Sequence, residues 1–382
     1  MERVYLDVQN NSGLNPQVAV AMEEALRLLG NPSSLHKEGR LSAQAMETAR
    51  GQIAALIGAL SEEMVFTSSG TEANTWALTG LAKAHESRGR HLVISSIEHL
   101  SILQVARRME KEGFRVTVLP VNPTGQVDLE VLEEALTSQT VLVSIQWANA
   151  EVGTVQPMAQ LVRRVKARGI LFHTDAIAAA GQVPIDVRAV PVDALSLVAN
   201  TFGGPPGCGA LFLRKGTRIL PLFVGGAQES GRRSGTENLI GIIGMGAAAD
   251  LARREGEEPS QRLIPLRDRL IQGILRQIPE ANLNGHPTQR LAGHVSVSFS
   301  GVDAETLVLS LDLEGIAVGL GSACTSRAIK ASHVLKAMGV EESRALGTIT
   351  CTLGRATQAQ IDRLLEVLPR VVAMQQTGVS CR

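Results

Sequence analysis

The chain has 382 residues, 44% of them hydrophobic and 19% charged, and its 37 Lys+Arg balance 37 Asp+Glu to leave no net charge at pH 7. That balance gives no sign of a nucleic-acid surface or of a patch for an acidic membrane, and no apolar run reaches the roughly 18–20 residues of a membrane span. The length suits one large and one smaller domain, and the charged start MERVYLDVQ, lacking a signal-peptide core, makes a cytoplasmic location the expectation.

Along the chain, ARGQIAALIGAL (49–60) spaces its apolar residues helically, and EMVFTSSG follows as a short β-rich run ending at Gly70. Val/Ile/Leu-rich segments recur at 91–99 (HLVISSIEH), 114–121 (FRVTVLPV), 140–149 (TVLVSIQWAN) and 169–176 (GILFHTDA). Between them ILQVARRMEKEG, LEVLEEALTSQ and MAQLVRRVKARG read as amphipathic helices. Continuous apolar strands separated by helices predict an α/β fold with a mainly parallel sheet and helices on both faces. Ligands of such sheets sit beyond the carboxyl ends of the strands, where SSG, EH, NAE and TDA fall.

The polar stretch RREGEEPSQR (253–262) marks a boundary. After it come a helix (LIPLRDRLIQGILRQI), an alternating strand (HVSVSFS), the apolar run TLVLSLDLEGIAV and a closing helix (IDRLLEVLPRVVAM). The expected division is a large domain over 13–261 and a smaller α+β domain formed by 1–12 together with 262–382.

The four cysteines, Cys208, Cys324, Cys351 and Cys381, form no CxxC or other zinc-type spacing, so no structural metal site is expected. Cys208 and Cys351 read as small buried hydrophobes and Cys381 as incidental. TSSGTEAN sets Thr71 and backbone N–H groups between a strand end and a helix start, which is either an anion cup or an ordinary capped first turn. Taken alone, Asp175 after a strand reads as a helix cap and His99 as a satisfied strand-end histidine.

Together with NPSSLHKEG (31–39), FTSSGTEAN (66–74), IEH (97–99), HTDA (173–176), RSGTEN (233–238) and GSACTS (321–326), the chain resembles the cysteine desulfurases of the class V aminotransferase group. The resemblance spans Tyr5 to about residue 370. It implies a fold-type I pyridoxal phosphate (PLP) transferase architecture, with a mainly parallel seven-stranded sheet plus the smaller C-terminal domain. It also implies PLP as cofactor, with Thr71 on its phosphate, Asp175 on its pyridine nitrogen and His99 stacked on its ring. Thr236 would reach the phosphate from a partner subunit, so a homodimer is implied. Cys324 would accept the substrate sulfur as a persulfide, and Arg327 and Lys330 beside it would favour its thiolate.

Several family positions are substituted. SLVANTFGGPPGCG (196–209) stands where the family reads roughly S-x-S-x-H-K, so Thr201 replaces the lysine that holds PLP, and no lysine lies between Lys166 and Lys215. Asn200 replaces a histidine and Val198 a serine, both phosphate ligands. Ala150 in NAEVG replaces an asparagine, Ala178 a glutamine on the ring hydroxyl, and Thr350 in GTITCTLGR the arginine that clamps the substrate carboxylate. Each charged hydrogen bond so lost is worth roughly 1.5–3 kcal/mol. The expectation is a desulfurase homologue in iron–sulfur cluster assembly or sulfur transfer without normal PLP-dependent activity. It would dock a scaffold protein or sulfur acceptor and use Cys324 as persulfide carrier or as ligand of a shared iron–sulfur cluster, taking sulfur from elsewhere, such as free sulfide. The alternative is an active desulfurase that binds PLP without a lysine, entering with L-cysteine as a preformed adduct. Neither nucleic acid nor membrane is an expected partner.

Overall fold

The computed structural model describes residues 3–321 and 331–377. Strand β1 (Val4–Leu6) opens the chain, and seven strands then build the larger sheet: β2 (Met64–Thr67), β3 (His91–Ser95), β4 (Arg115–Leu119), β5 (Thr140–Ser144), β6 (Leu171–Asp175), β7 (Ala194–Val198) and β8 (Gly209–Leu213). Their order is β2-β8-β7-β6-β5-β3-β4. All neighbours from β7 to β4 pair in parallel, and β8 alone runs against its two neighbours. The expected α/β architecture with a mainly parallel seven-stranded sheet is therefore the one observed.

Burial explains the sequence pattern. Every residue of β3, β5, β6, β7 and β8 is buried, because helices cover both faces, and such strands need no polar alternation. Edge strand β4 is the exception: Arg115 and Val118 are exposed and only Leu119 is buried. On one face the long helices Lys37–Leu56 and Leu239–Glu255 close over a core that includes Ile53, Ile57, Phe172, Leu195 and Met245. On the other, Gly70–Ala84 and Leu100–Lys111 seal Trp76, Leu78, Leu92 and Ile102.

The smaller sheet has the order β1-β11-β12-β10-β9, built with β9 (Asn282–Leu283), β10 (His294–Ser298), β11 (Ile316–Leu320) and β12 (Thr348–Thr352). Its core joins Val4 and Leu6 to Leu270, Val297, Phe299, Leu307, Ile349 and Leu368. The polar stretch 253–262 is almost wholly helical: the helix Leu239–Glu255 stops at Gly256 (φ +56°) and a second helix, Glu258–Gln277, starts two residues later. Strands β7 and β8 were not anticipated, because the stretch around them reads first as a motif. Among the described residues no helix is long and apolar enough to cross a membrane.

Candidate functional site

Five strands of the larger sheet end on one side of a cavity of about 530 Å³. Ser69, Gly70 and Thr71 follow β2, Glu98 and His99 follow β3, Gln146 and Asn149 follow β5, Asp175 ends β6, and Asn200 and Thr201 follow β7. The smaller sheet closes the opposite wall with Leu320, Thr350 and the Asp7–Asn10 segment. This is the position at which open parallel sheets hold their ligands, since helix N-termini and strand ends leave backbone groups unpaired there.

Thr71 is in the first turn of the helix Gly70–Ala84, whose N-cap Ser69 accepts from the Glu72 N–H at 3.1 Å. A Cβ at Gly70 would come within 2.2 Å of Ile177 Cδ1, so the Ile177 side chain packs directly against this turn. The Glu72 carboxylate turns back onto the Ser68 N–H (2.8 Å) and onto Arg233 (2.9 Å), which hold it below the usual carboxylate range against the cost of burial.

Asp175 is buried and accepts from Asn74 Nδ2 (2.7 Å) and the Ile177 N–H (2.9 Å). Burial nevertheless raises its carboxyl above the ordinary value. The same Asn74 amide donates to Ser101 Oγ at 2.9 Å, and Ser101 Oγ lies 2.8 Å from His99 Nδ1. The Ser101 N–H also donates to that nitrogen, which makes Nδ1 an acceptor and leaves the imidazole proton at Nε2. A hydrogen-bonded chain thus links Asp175 to His99 through Asn74 and Ser101, residues whose part in the site the sequence did not disclose. Asn74 did lie within a quoted motif, but only the folded pairing reveals its role.

Two further acids were missed. Glu98 is fully buried, with Oε1 taking the Ser95 hydroxyl and the Gln146 N–H while Oε2 has no partner among the described residues. Desolvation pushes it up to about 8. Glu151, which accepts from Ser332 Oγ, is pushed up to about 7 by the same cause. His333 Nε2 donates to the Glu98 carbonyl at 2.9 Å, and burial lowers its pKa.

Glu98 predicts a pH effect. An acid raised to about 8 in the fold but near 4.3 unfolded holds a proton in the native chain that the unfolded chain has released. Stability therefore falls as pH rises between those values. Glu98→Gln should flatten that fall, as read from urea midpoints between pH 5 and about 8; an unchanged slope would show that Glu98 is not its source.

The substituted positions fall on the cavity wall. Thr201 is buried in the turn Ala199–Thr201 and donates its hydroxyl to the Val198 carbonyl at 3.2 Å. Asn200 Nδ2 is spent on the Asn10 carbonyl at 3.3 Å. Ala150, Ala178, Val198 and Thr350 also line the cavity, and among the described residues no lysine or arginine does. Thr236 is exposed and does not border this cavity; it lines a small one with Ser68, Cys208 and Arg233. Cys324, Arg327, Lys330 and Cys381 lie outside the described residues. Cys208 and Cys351 are buried, as read from sequence, and burial pushes both thiols up to about 12.

A doubly covered, mostly parallel sheet with this constellation at its strand ends defines the class V aminotransferases, and the family model "Aminotransferase class-V" matches residues 4–364. Among curated proteins, the chain is 46% identical to "Cysteine desulfurase IscS" of Methanosarcina thermophila over 97% of this chain and 92% of that protein. It is 44% identical to "Cysteine desulfurase IscS 1" of Archaeoglobus fulgidus, with 96% of each covered. Among solved structures it superposes on a "NIFS-like protein" with a TM-score of 0.91 at 34% identity, covering 97% of this chain and 100% of that one. It also superposes on "SspA in complex with cysteine" at 0.82 and 30% identity, covering 93% and 99%. The chain belongs to the cysteine desulfurase family.

That family is PLP-dependent, and the side chains here fit the group in part. Asp175 and His99 suit a pyridine ring, and the Ser69–Thr71 turn suits a phosphate. No amine stands at the end of β7, where Thr201 is turned onto its own backbone. Among the described residues the lining therefore offers partners to a ring and a phosphate but no lysine to tether PLP.

Proposed function

We propose that the chain is a cysteine-desulfurase homologue that serves sulfur transfer or iron–sulfur cluster assembly without lysine-tethered PLP chemistry. Cys324 is its working group, as persulfide carrier or as ligand to a cluster shared with a scaffold protein. The observation that carries this reading is Thr201, a hydroxyl bonded to Val198 O at the place of the family's amine. A low-molecular-weight persulfide can pass its outer sulfur to the Cys324 thiolate and leave as a thiolate, so no separate oxidant is needed. Free sulfide instead enters a cluster with iron, which thiolates ligate well.

The chain works as a homodimer in this reading. Thr236 is exposed on a loop and borders no part of its own large cavity, as a residue serving a second subunit should be. A second reading, an active desulfurase that receives PLP and L-cysteine as a preformed adduct, draws support from Asp175, His99 and Thr71 converging on one cavity. The absorption spectrum of the purified chain, before and after PLP and then L-cysteine, separates the two. A visible band that answers to cysteine with sulfide release supports the second; a colourless, unresponsive protein supports the first.

Restoring the amine alone should not restore the activity. Thr201→Lys leaves Ala150, Ala178 and Thr350 in place, so ring hydroxyl and substrate carboxylate still lack partners. Sulfide release from L-cysteine by this variant should stay at the level of the parent chain, and strong release would overturn this account of the cavity.

A further inference from the structure

The cavity wall formed by Asn149, Ala150 and Glu151 belongs to a turn after β5 that the larger sheet does not hold alone. Its shape is internal: Asn149 Oδ1 accepts the Glu151 and Val152 N–H groups at 2.8 and 2.9 Å, and the Asn149 N–H donates to the Thr154 carbonyl at 2.9 Å. Its outer carbonyls are taken by the stretch from His286 to His294, which leads into β10 of the smaller sheet. His294 Nε2 donates to Ala150 O at 2.8 Å, Arg290 Nη2 to Val152 O at 3.1 Å and the Leu291 N–H to Gly153 O at 2.9 Å. In return the Val155 N–H donates to Gln289 O at 3.0 Å. The two surfaces leave no space between them: a Cβ at Gly153 would stand 2.8 Å from His294 Nδ1, and one at Gly285 2.4 Å from Val152 O.

Arg290 is the centre of this contact. Only 5% exposed, it also donates through Nε to His294 O at 3.1 Å and through Nη1 to His286 O at 3.2 Å. One guanidinium thus fixes both ends of its own loop and the turn facing it. No carboxylate bonds to it among the described residues; burial and the Arg267 charge bring it down to about 10, against the pull of Asp268. A buried cation compensated mainly by carbonyls is costly, and apolar residues of similar volume often replace such groups without loss. What the planar fork adds is direction, with three carbonyls addressed at set angles from one rigid group.

We propose that Arg290, seconded by His294, is a positioning residue of the cavity: from the smaller sheet it sets the Asn149–Glu151 turn, and so places the Glu151 carboxylate on the cavity wall. Glu151 is where this placement reaches chemistry. Its carboxylate accepts from Ser332 Oγ, which caps the helix His333–Ala337, and among the described residues His99 is the charged group that acts on it. Buried in that position, it is pushed up to about 7 and titrates in the neutral range. The placement of the wall is the same whether or not PLP enters the cavity, so it stands or falls apart from the sulfur-transfer reading.

The test compares the parent full-length protein with Arg290→Met and with His294→Phe, a milder change that keeps a ring and removes the donor to Ala150 O. Two quantities are measured: hydrogen–deuterium exchange over residues 149–156, and the titration of the Glu151 carboxylate by carbon NMR, its signal assigned with Glu151→Gln. In both variants the 149–156 amides should exchange at least about tenfold faster while β3, β5 and β6 keep their protection. The Glu151 midpoint should drop from about 7 towards the ordinary carboxylate value as water reaches it. Arg290→Lys should rescue neither quantity, since one ammonium does not span three carbonyls. Exchange over 149–156 at the parent rate in both variants overturns the inference. So does faster exchange throughout the smaller sheet with Glu151 titrating as in the parent chain, which would make Arg290 a stabilising residue only. Should Arg290→Met fail to fold, His294→Phe carries both measurements to the same two outcomes.

Discussion

Sulfur loading should vanish when Cys324 is replaced by serine. Only a thiolate attacks a sulfane sulfur or ligates iron at neutral pH, and a serine hydroxyl remains protonated. The chain cannot compensate from its interior. Cys208 and Cys351 are buried and pushed up to about 12, which leaves a thiolate fraction on the order of 10⁻⁵ at pH 7. Cys208 instead contacts the Met245 sulfur at 3.8 Å, as a packed hydrophobe does. Cys381 is the remaining thiol, so Cys381→Ser is the control that should load normally. Intact mass after exposure to a low-molecular-weight persulfide checks both variants: the Cys324→Ser chain should lack the added sulfur and the Cys381→Ser chain should carry it. Loading of the Cys324→Ser chain at the parent level would remove Cys324 from the mechanism. Thr201→Ser, which keeps the hydroxyl on Val198, should leave loading unchanged.

What could be read in the sequence depended on how local the cause was. The strands HLVIS, TVLVS and LFHTD were legible because burial on both faces removes alternation, leaving short Val/Leu/Ile/Phe runs between helices. Thr71, His99 and Asp175 were picked out by the family resemblance, since alone each reads equally well or better as a cap or a strand-end residue, and the structure brings all three to one cavity. The link from Asp175 through Asn74 and Ser101 to His99 was not legible. It joins residues on three separate elements, and nothing local marks an asparagine as the bridge. Glu98 was quoted only as the neighbour of His99, because its lone oxygen and its desolvation exist only once β5 and the 145–149 segment have packed over it. Thr236 shows the converse: its motif is plain in sequence, but its exposure and its absence from the large cavity are facts of the fold.

The loop that carries Thr236 is anchored through a buried ion pair, and cutting it should produce a large loss of stability. Arg50 Nη1 and Nη2 meet the two Glu229 oxygens at 2.7 Å each, with side-chain exposures of only 8% and 1%. Nη1 also donates to the Met64 carbonyl at 3.0 Å, the Phe66 N–H donates to Glu229 at 2.9 Å, and the guanidinium lies 4.4 Å over the Phe66 ring. The pair therefore stitches the helix Lys37–Leu56, strand β2 and the loop together. It does so against local preference, since Glu229 and Ser230 are the non-glycine residues at positive φ among those described (+49° and +58°). A backbone in that region costs of order 1–3 kcal/mol per residue and persists only when its surroundings enforce it. Glu229→Gln sets an amide donor against Arg50 and Phe66 N–H and leaves a buried guanidinium without a counter-charge, a change that costs about 3–5 kcal/mol. The thermal midpoint should fall by several degrees, and less for the double variant Arg50→Met/Glu229→Met, which strands no charge although the Met64 carbonyl and Phe66 N–H lose a partner. If Glu229→Gln melts with the parent chain, the loop must be anchored elsewhere, and Arg233 on Glu72 is the remaining tie between it and the first turn that bears Thr71.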